Sequence, residues 1–211
     1  MTQAPYVVFD LETGPDPFGE PFDEAFVALG ARKRPETIRS YIEECRTSYL
    51  EEAALSATTG EILLAGIYWR PDAEYVILEG DESLMLVNFW ETLSKFRENE
   101  LAPRFVGFNC LGFDLPFAIR RSWKHAVEVP DFVFDGRYVD RSFTDLLLWW
   151  GCGNRQDKIS LDRFARFLGL EPKQGKGKEF ANLYRSDPVQ AISYLKHDLW
   201  LTGEIAARLS V

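Results

Sequence analysis

The sequence begins with a short apolar strand that carries two carboxylates near its end. Residues 6–9 are aromatic or β-branched, which is typical of a buried strand, and this strand is expected to end near Leu11. Because residues i and i+2 of a strand point to the same face, Asp10 and Glu12 lie side by side while Leu11 points away. Two carboxylates this close repel each other unless one is protonated or a cation lies between them. A solvated strand end without chemistry is the alternative interpretation.

The spacing of apolar residues predicts the remaining elements. Continuous apolar runs predict strands at residues 62–69, 75–78 and 105–108. Steps of three and four residues predict helices after Pro35, after an N-cap at Asp81, near Asp114, at 161–168 and at 187–209. Residues 146–150 fit either a strand or a buried helix, and residues 125–143 show no clear pattern. This order predicts an α/β fold in which helices flank a mixed central sheet of about five strands.

Composition narrows the class of protein. The 211 residues carry 24 basic and 33 acidic side chains, a net charge of −9, which argues against coating of nucleic acid by bulk attraction. No apolar run approaches the ~20 residues of a membrane span, and the N-terminus lacks the pattern of a secretory signal. We therefore expect one cytoplasmic domain over residues 1–211, with no membrane partner. The six tryptophans are assigned to the core.

Cysteine and histidine are too sparse for a metal site of their own. Cys45, Cys110 and Cys152 are far apart and form no CxxC pair, so a disulfide scaffold or thiolate zinc site is not expected. The only histidines are His125 and His197, which excludes a His-rich site.

Two further segments place acidic residues beside predicted core elements. Asp114 follows the strand at 105–108 and stands where a helix begins, although a simple helix cap is the alternative. Tyr194 and Asp198 are four residues apart, so they are neighbours on one face of the long C-terminal helix. They flank its apolar stripe, where an aspartate is costly without a partner. A Tyr–Asp hydrogen bond at the edge of the core is the alternative.

These motifs, taken in order, resemble a known family. Asp-x-Glu, Asn-x-x-x-Phe-Asp and Tyr-x-x-x-Asp are similar to the three motifs of the DEDD exonucleases, the DnaQ-like branch of the ribonuclease H-like fold. Tyr194 is typical of the tyrosine subclass. Ser193 stands where the histidine subclass carries its histidine, so His197 is not expected to be catalytic. The chain resembles the stand-alone exonucleases that are similar to the proofreading domain of family B DNA polymerases, also across residues 160–169.

The resemblance implies a metal-dependent 3′–5′ exonuclease that releases nucleoside 5′-monophosphates from single-stranded DNA. It implies that two divalent cations, Mg²⁺ or Mn²⁺, are held by Asp10, Glu12, Asp114 and Asp198. Tyr194 would orient the attacking water. Substrate contacts are implied for the following residues: Leu11 and Thr13 at the terminal nucleotide, Asn109 and Phe113 at the pocket, and Lys176 and Lys178 at phosphate.

Several alternatives stay open at this stage. The catalytic residues do not separate DNA from RNA, so an RNA 3′-end trimming nuclease is one alternative, and a non-catalytic nucleic-acid-binding or scaffold module is another. Residues 14–57 are expected to be an insertion between the first and second strands, with no role assigned. A polymerase or helicase acting in trans is a partner that the sequence neither requires nor excludes.

Overall fold

The central feature of the computed structural model is a five-stranded mixed sheet with helices on both faces. The structure describes residues 5–98, 103–134, 142–172 and 179–210, without the side chains of residues 50 and 51. The strands are β1 (Tyr6–Pro15), β2 (Gly60–Trp69), β3 (Glu74–Glu79), β4 (Arg104–Gly107) and β5 (Phe143–Asp145). The helices are α1 (Pro35–Ala53), α2 (Glu82–Arg97), α3 (Asp114–Lys124), α4 (Leu146–Trp150), α5 (Leu161–Phe167), α6 (Phe180–Ser186) and α7 (Pro188–Leu209). Short 3₁₀ turns occupy Glu24–Phe26 and Asp131–Phe134.

The strand order places the first strand at the centre of the sheet. The order is β3-β2-β1-β4-β5, with β1 antiparallel to β2, β2 antiparallel to β3, and β1, β4 and β5 parallel. The carboxyl ends of β1, β4 and β5 therefore meet at one edge of the sheet. The acidic pair on β1 and the loop that follows β4 both lie at this edge.

Alternation along β1 sends its side chains into two separate cores. Phe9 and Leu11 pack in a core with residues of α2 and α3, whereas Val8 packs in the opposite core with residues of α5 and α7. Asp10 and Glu12 share the parity of Val8 and so face the α7 side. The pairing register with β2 shifts between Glu12 and Thr13, so the simple alternation ends there.

The predicted α/β fold with a mixed sheet of about five strands is confirmed, and the structure refines its details. β1 continues to Pro15 rather than ending near Leu11, because its last residues pair with the start of β2. The ambiguous residues 146–150 are helical, with Asp145 as the N-cap. β5 begins at the end of residues 125–143, for which the sequence shows no clear pattern, and the sequence does not predict α6. The assignment of all tryptophans to the core is wrong for Trp123 and Trp149, which are exposed.

A buried arginine ties the segment between β1 and β2 to the core helices. Arg121 on α3 is 1% exposed and donates hydrogen bonds to Glu82 of α2 (2.9 Å), Asp16 (2.9 Å) and the Ala57 carbonyl (3.2 Å). Glu82 also accepts a bond from the Ile62 N–H at 2.8 Å. One guanidinium thus connects α2, α3 and both ends of the segment that precedes β2.

The charge of Asp16 is stabilised within this network. Burial alone would raise the pKa of Asp16, but hydrogen bonds from Lys124, the Phe18 N–H and Arg121 outweigh that effect and lower the pKa to about 2. The first residues after β1 are therefore held against α3 by ionised groups.

No described helix combines the length and the apolar character that crossing a membrane requires.

We predict that Arg121→Met destabilises the fold by roughly 3–5 kcal/mol, because the substitution removes the buried cation that Glu82 and Asp16 share, although Asp16 keeps its bond from Lys124. The free energy of unfolding in urea measures this cost. Arg166→Met is the matched control, since Arg166 is exposed and its ion pair within the described residues is with Asp162 on the same helix, so its loss should cost about 0.5 kcal/mol or less. Equal stability of the two variants would contradict the role given to Arg121.

Candidate active site

Three carboxylates from two elements converge at the carboxyl edge of the sheet. Asp10 and Glu12 of β1 and Asp198 of α7 each offer an oxygen, and these oxygens lie within 4.8 Å of one another. Glu12 and Asp198 are 8% and 2% exposed. Burial and proximity both penalise three negative charges, so the arrangement fits a site that holds a cation.

Close packing of α7 on the sheet brings Asp198 to this position. Gly66 on β2 pairs with Asp10, and a Cβ at Gly66 would lie 2.6 Å from a methyl carbon of Leu199. The missing side chain lets α7 approach the strand directly beside the acidic pair. The sequence-predicted apolar stripe of α7 is also present, with Leu195, Leu199 and Ala206 buried.

The carboxylate of Asp114 adjoins the same cluster. It lies at the first turn of α3, is buried, and accepts a hydrogen bond from the Leu11 N–H at 3.0 Å. Burial raises the pKa of Asp114 to about 7; hydrogen bonds with the Leu11 N–H and the Asp10 side chain oppose the rise, and the charge of Asp145 adds to it. Asp114 is thus a neighbour of the cluster formed by Asp10, Glu12 and Asp198, and a divalent cation there would favour the ionised carboxylates.

Tyr194 lies one helical turn before Asp198 on the same face of α7. Its side chain is buried, and its ring centroid is 5.6 Å from that of Phe180 on α6. The helix that was not predicted, α6, thus packs against the one aromatic side chain of the third motif. The spacing rule for i and i+4 residues correctly placed Tyr194 and Asp198 together.

The remaining predicted substrate residues differ in their surroundings. The Leu11 side chain is 5% exposed and packs in the core, so its backbone N–H is the group that reaches the site. Thr13 donates its hydroxyl to the Ala54 carbonyl at 2.6 Å, which joins the end of β1 to the end of α1. Asn109 and Phe113 are half-buried on the loop before Asp114. Lys176 and Lys178 lie outside the described residues.

Asp145 is a supporting residue that sequence reasoning missed. It ends β5, is 3% exposed, and accepts three backbone hydrogen bonds, from Asn109 (2.9 Å), Leu111 (3.0 Å) and Leu147 (2.9 Å). Asn109 has a φ of 61°, a left-handed conformation that these bonds help to hold. A carboxylate with three N–H donors fixes the loop that leads into Asp114. The available signal was an aspartate in the N-cap position before an apolar helix.

A match to a family model identifies the class of protein to which this chain belongs. Residues 76–202 match the model of a family described as a predicted 3′-5′ exonuclease related to the exonuclease domain of PolB. The match covers more than half of the sequence, and the chain belongs to this family. The matched span includes Asp114, Tyr194 and Asp198 but not Asp10 and Glu12. The geometry of the site, rather than the match, joins β1 to the other motifs.

Two individual proteins show the extent of the similarity. An uncharacterized protein of Methanocaldococcus jannaschii is 26% identical over 166 residues, which cover 74% of this chain and 89% of that protein. The family B DNA polymerase from the hyperthermophilic archaeon Pyrobaculum calidifontis superposes with a TM-score of 0.59 at 18% identity. The superposition covers 98% of this chain and 24% of the polymerase, so the chain spans about a quarter of that protein's length. At this identity the likeness shows the fold, and it confirms the expected ribonuclease H-like architecture.

We predict that Asp145→Ala costs roughly 2–4 kcal/mol of stability, because three N–H groups lose a charged acceptor in a buried setting. Amide hydrogen exchange should also accelerate at Asn109 and Leu111. Asp81→Ala is the matched control, since Asp81 also caps a helix but in an exposed position, and its loss should cost about 1 kcal/mol. Equal costs with unchanged exchange in the loop would contradict the role of Asp145.

Proposed function

We propose that this protein is a metal-dependent 3′–5′ exonuclease that hydrolyses the terminal phosphodiester bond of single-stranded DNA and releases nucleoside 5′-monophosphates. The observation that carries the proposal is the convergence of Asp10, Glu12 and Asp198 within 4.8 Å, with the buried Asp114 beside them as acceptor of the Leu11 N–H. Membership in the exonuclease-related family supports the same reaction class.

The donor set fits hard divalent cations. Asp10, Glu12, Asp114 and Asp198 offer only carboxylate oxygens, which suit Mg²⁺ or Mn²⁺, and no thiol or imidazole is part of the set. We assign these four residues as the ligands of two ions. Such a pair, when bound, supplies neutralisation of phosphate charge and activation of water at neutral pH.

The protein's own residues position the reactants around this cluster. Tyr194 lies on α7 next to Asp198, where its hydroxyl can orient the attacking water by a hydrogen bond. Thr13 and the Leu11 backbone lie in the second half of β1, which we assign to the terminal nucleotide. Asn109 and Phe113 lie on the loop held by Asp145. We assign them to the side of the nucleotide pocket opposite β1.

DNA is the substrate we favour over RNA. The family is related to the exonuclease domain of a DNA polymerase, and the polymerase that shares this fold belongs to family B. Selection against RNA requires a contact that senses the 2′-hydroxyl, so matched RNA substrates test this part of the proposal separately. We further propose that residues 1–211 form one exonuclease domain, with residues 14–57 as an insertion anchored by Arg121 and Thr13.

Purified protein is incubated with 3′- and 5′-labelled oligonucleotides in Mg²⁺ or Mn²⁺, with matched single-stranded RNA in parallel. We predict stepwise shortening from the 3′ end of DNA, release of 5′-mononucleotides, and a loss of about a thousandfold or more in Asp10→Ala, since a lost metal ligand removes several kcal/mol of transition-state stabilisation.

Glu91→Ala is the control, because Glu91 is an exposed carboxylate on α2 and should leave the rate unchanged. Equal or faster cleavage of RNA would favour the trimming nuclease. The absence of metal-dependent cleavage on every substrate would contradict the enzyme and favour a non-catalytic module.

A further inference from the structure

One surface of this acidic protein combines exposed aromatic and basic side chains. We call residues 148–167, which run from α4 through α5, the α4–α5 surface. Its exposed apolar and basic residues are Leu148, Trp149, Arg155, Lys158, Arg163, Arg166 and Phe167. Four basic residues stand against two acidic ones, so the segment has a charge of +2 in a chain of −9. The net charge of this surface is therefore opposite in sign to that of the whole protein.

The acidic residues of this surface are already engaged. Asp157 accepts a hydrogen bond from the Trp150 indole at 3.2 Å, and Asp162 pairs with Arg166 at 3.0 Å. Arg155, Lys158 and Arg163 form no ion pair within the part of the chain that the structure describes. Three cations are therefore available to an anionic partner.

The α4–α5 surface begins at the edge of the sheet that carries the carboxylate cluster. α4 begins directly after Asp145, whose carboxylate holds the loop leading to Asp114. Asp145 is the N-cap of α4, and Trp149 lies about one helical turn, or roughly 6 Å, further along that helix. Both α4 and α5 pack against α7, the helix that carries Asp198. The Trp149 end of this surface therefore lies at the same sheet edge as the cluster, whereas its α5 end lies near the C-terminal end of α7, where Arg208 donates to the Leu168 carbonyl at 3.1 Å.

Trp149 has the exposure that stacking requires. Its side chain is 49% exposed, although large aromatic residues bury most of their surface in ordinary cores. Single-stranded nucleic acid combines flat bases with a regularly spaced anion, and proteins bind it with exposed aromatics and basic side chains. The apolar residues could also bind a peptide. A peptide does not carry a negative charge at every residue, however, so the three cations favour nucleic acid.

We propose that the α4–α5 surface binds the single strand upstream of its 3′ end, with Trp149 stacked on a base and Arg155, Lys158 and Arg163 against phosphates. The proposal rests on the proposed function for its catalytic consequence, because the strand is expected to lead into the carboxylate cluster.

Binding is measured separately from cleavage, in an Asp10→Ala background, by fluorescence anisotropy of a labelled 12-residue oligothymidylate. Trp149→Ala should weaken binding about tenfold or more, and Trp149→Phe should restore most of it, since phenylalanine retains a stacking face. Trp123→Ala is the matched control. Trp123 is 66% exposed and also lies beside a basic residue, Arg120, but it is at the far end of α3 from Asp114.

The salt dependence of binding tests the charged part of the surface. Replacing both Arg155 and Lys158 by alanine should lower the slope of log affinity against log salt by about 1.4, the value for two lost phosphate contacts on a single strand. Lys95→Ala on α2 should leave the slope unchanged. Circular dichroism of each variant establishes that its fold is retained.

Cleavage assays with otherwise wild-type protein separate this inference from the proposed function. Trp149→Ala should raise KM for the 12-nucleotide strand about tenfold and raise KM for a dinucleotide less, because the proposed contact lies upstream of the 3′ end. Metal-dependent cleavage with binding unaffected by Trp149→Ala, or a larger effect of Trp123→Ala, would overturn the inference alone. Trp149-dependent binding without any cleavage would overturn the proposed function and leave the inference standing.

Discussion

Repulsion among buried carboxylates is the constraint around which this molecule is organised. Asp10, Glu12 and Asp198 present oxygens within 4.8 Å of each other, and the buried Asp114 lies beside them. Burial raises the pKa of Asp114 to about 7 even though the Leu11 N–H donates to it. Groups held this close without a countercharge oppose folding, so the surrounding structure must supply the energy that keeps them together.

That support comes from non-local packing on both sides of the sheet. Gly66 removes a side chain so that α7 can approach β2, and Asp145 fixes the loop that follows β4. On the opposite side, Arg121 joins α2 and α3 to the residues that follow β1. Buried charged or close-packed contacts therefore hold the segments that carry the site. Precise placement of ligands is what hard divalent cations, and Mg²⁺ above all, demand.

The sequence allowed the motif residues and most of the regular elements to be predicted. The i, i+2 rule on β1 and the i, i+4 rule on α7 are local, so Asp10 with Glu12 and Tyr194 with Asp198 could be paired directly. β5 has three residues, too few for a period to be recognised. The role of Asp145 depends on donors 34 and 36 residues earlier in the chain, and that contact has no local signal. Exposure of Trp149 likewise follows from how α4 packs rather than from its composition.

In the proposed function, the carboxylate cluster holds two divalent cations. Titration of Mn²⁺ into the protein, followed by calorimetry, tests this claim without a substrate. We predict two bound ions per chain in the wild-type protein and weakened binding when Asp198 is replaced by asparagine, which keeps the shape of the side chain but removes its charge. Absence of Mn²⁺ binding, or binding that is unaffected by Asp198→Asn, would contradict the account.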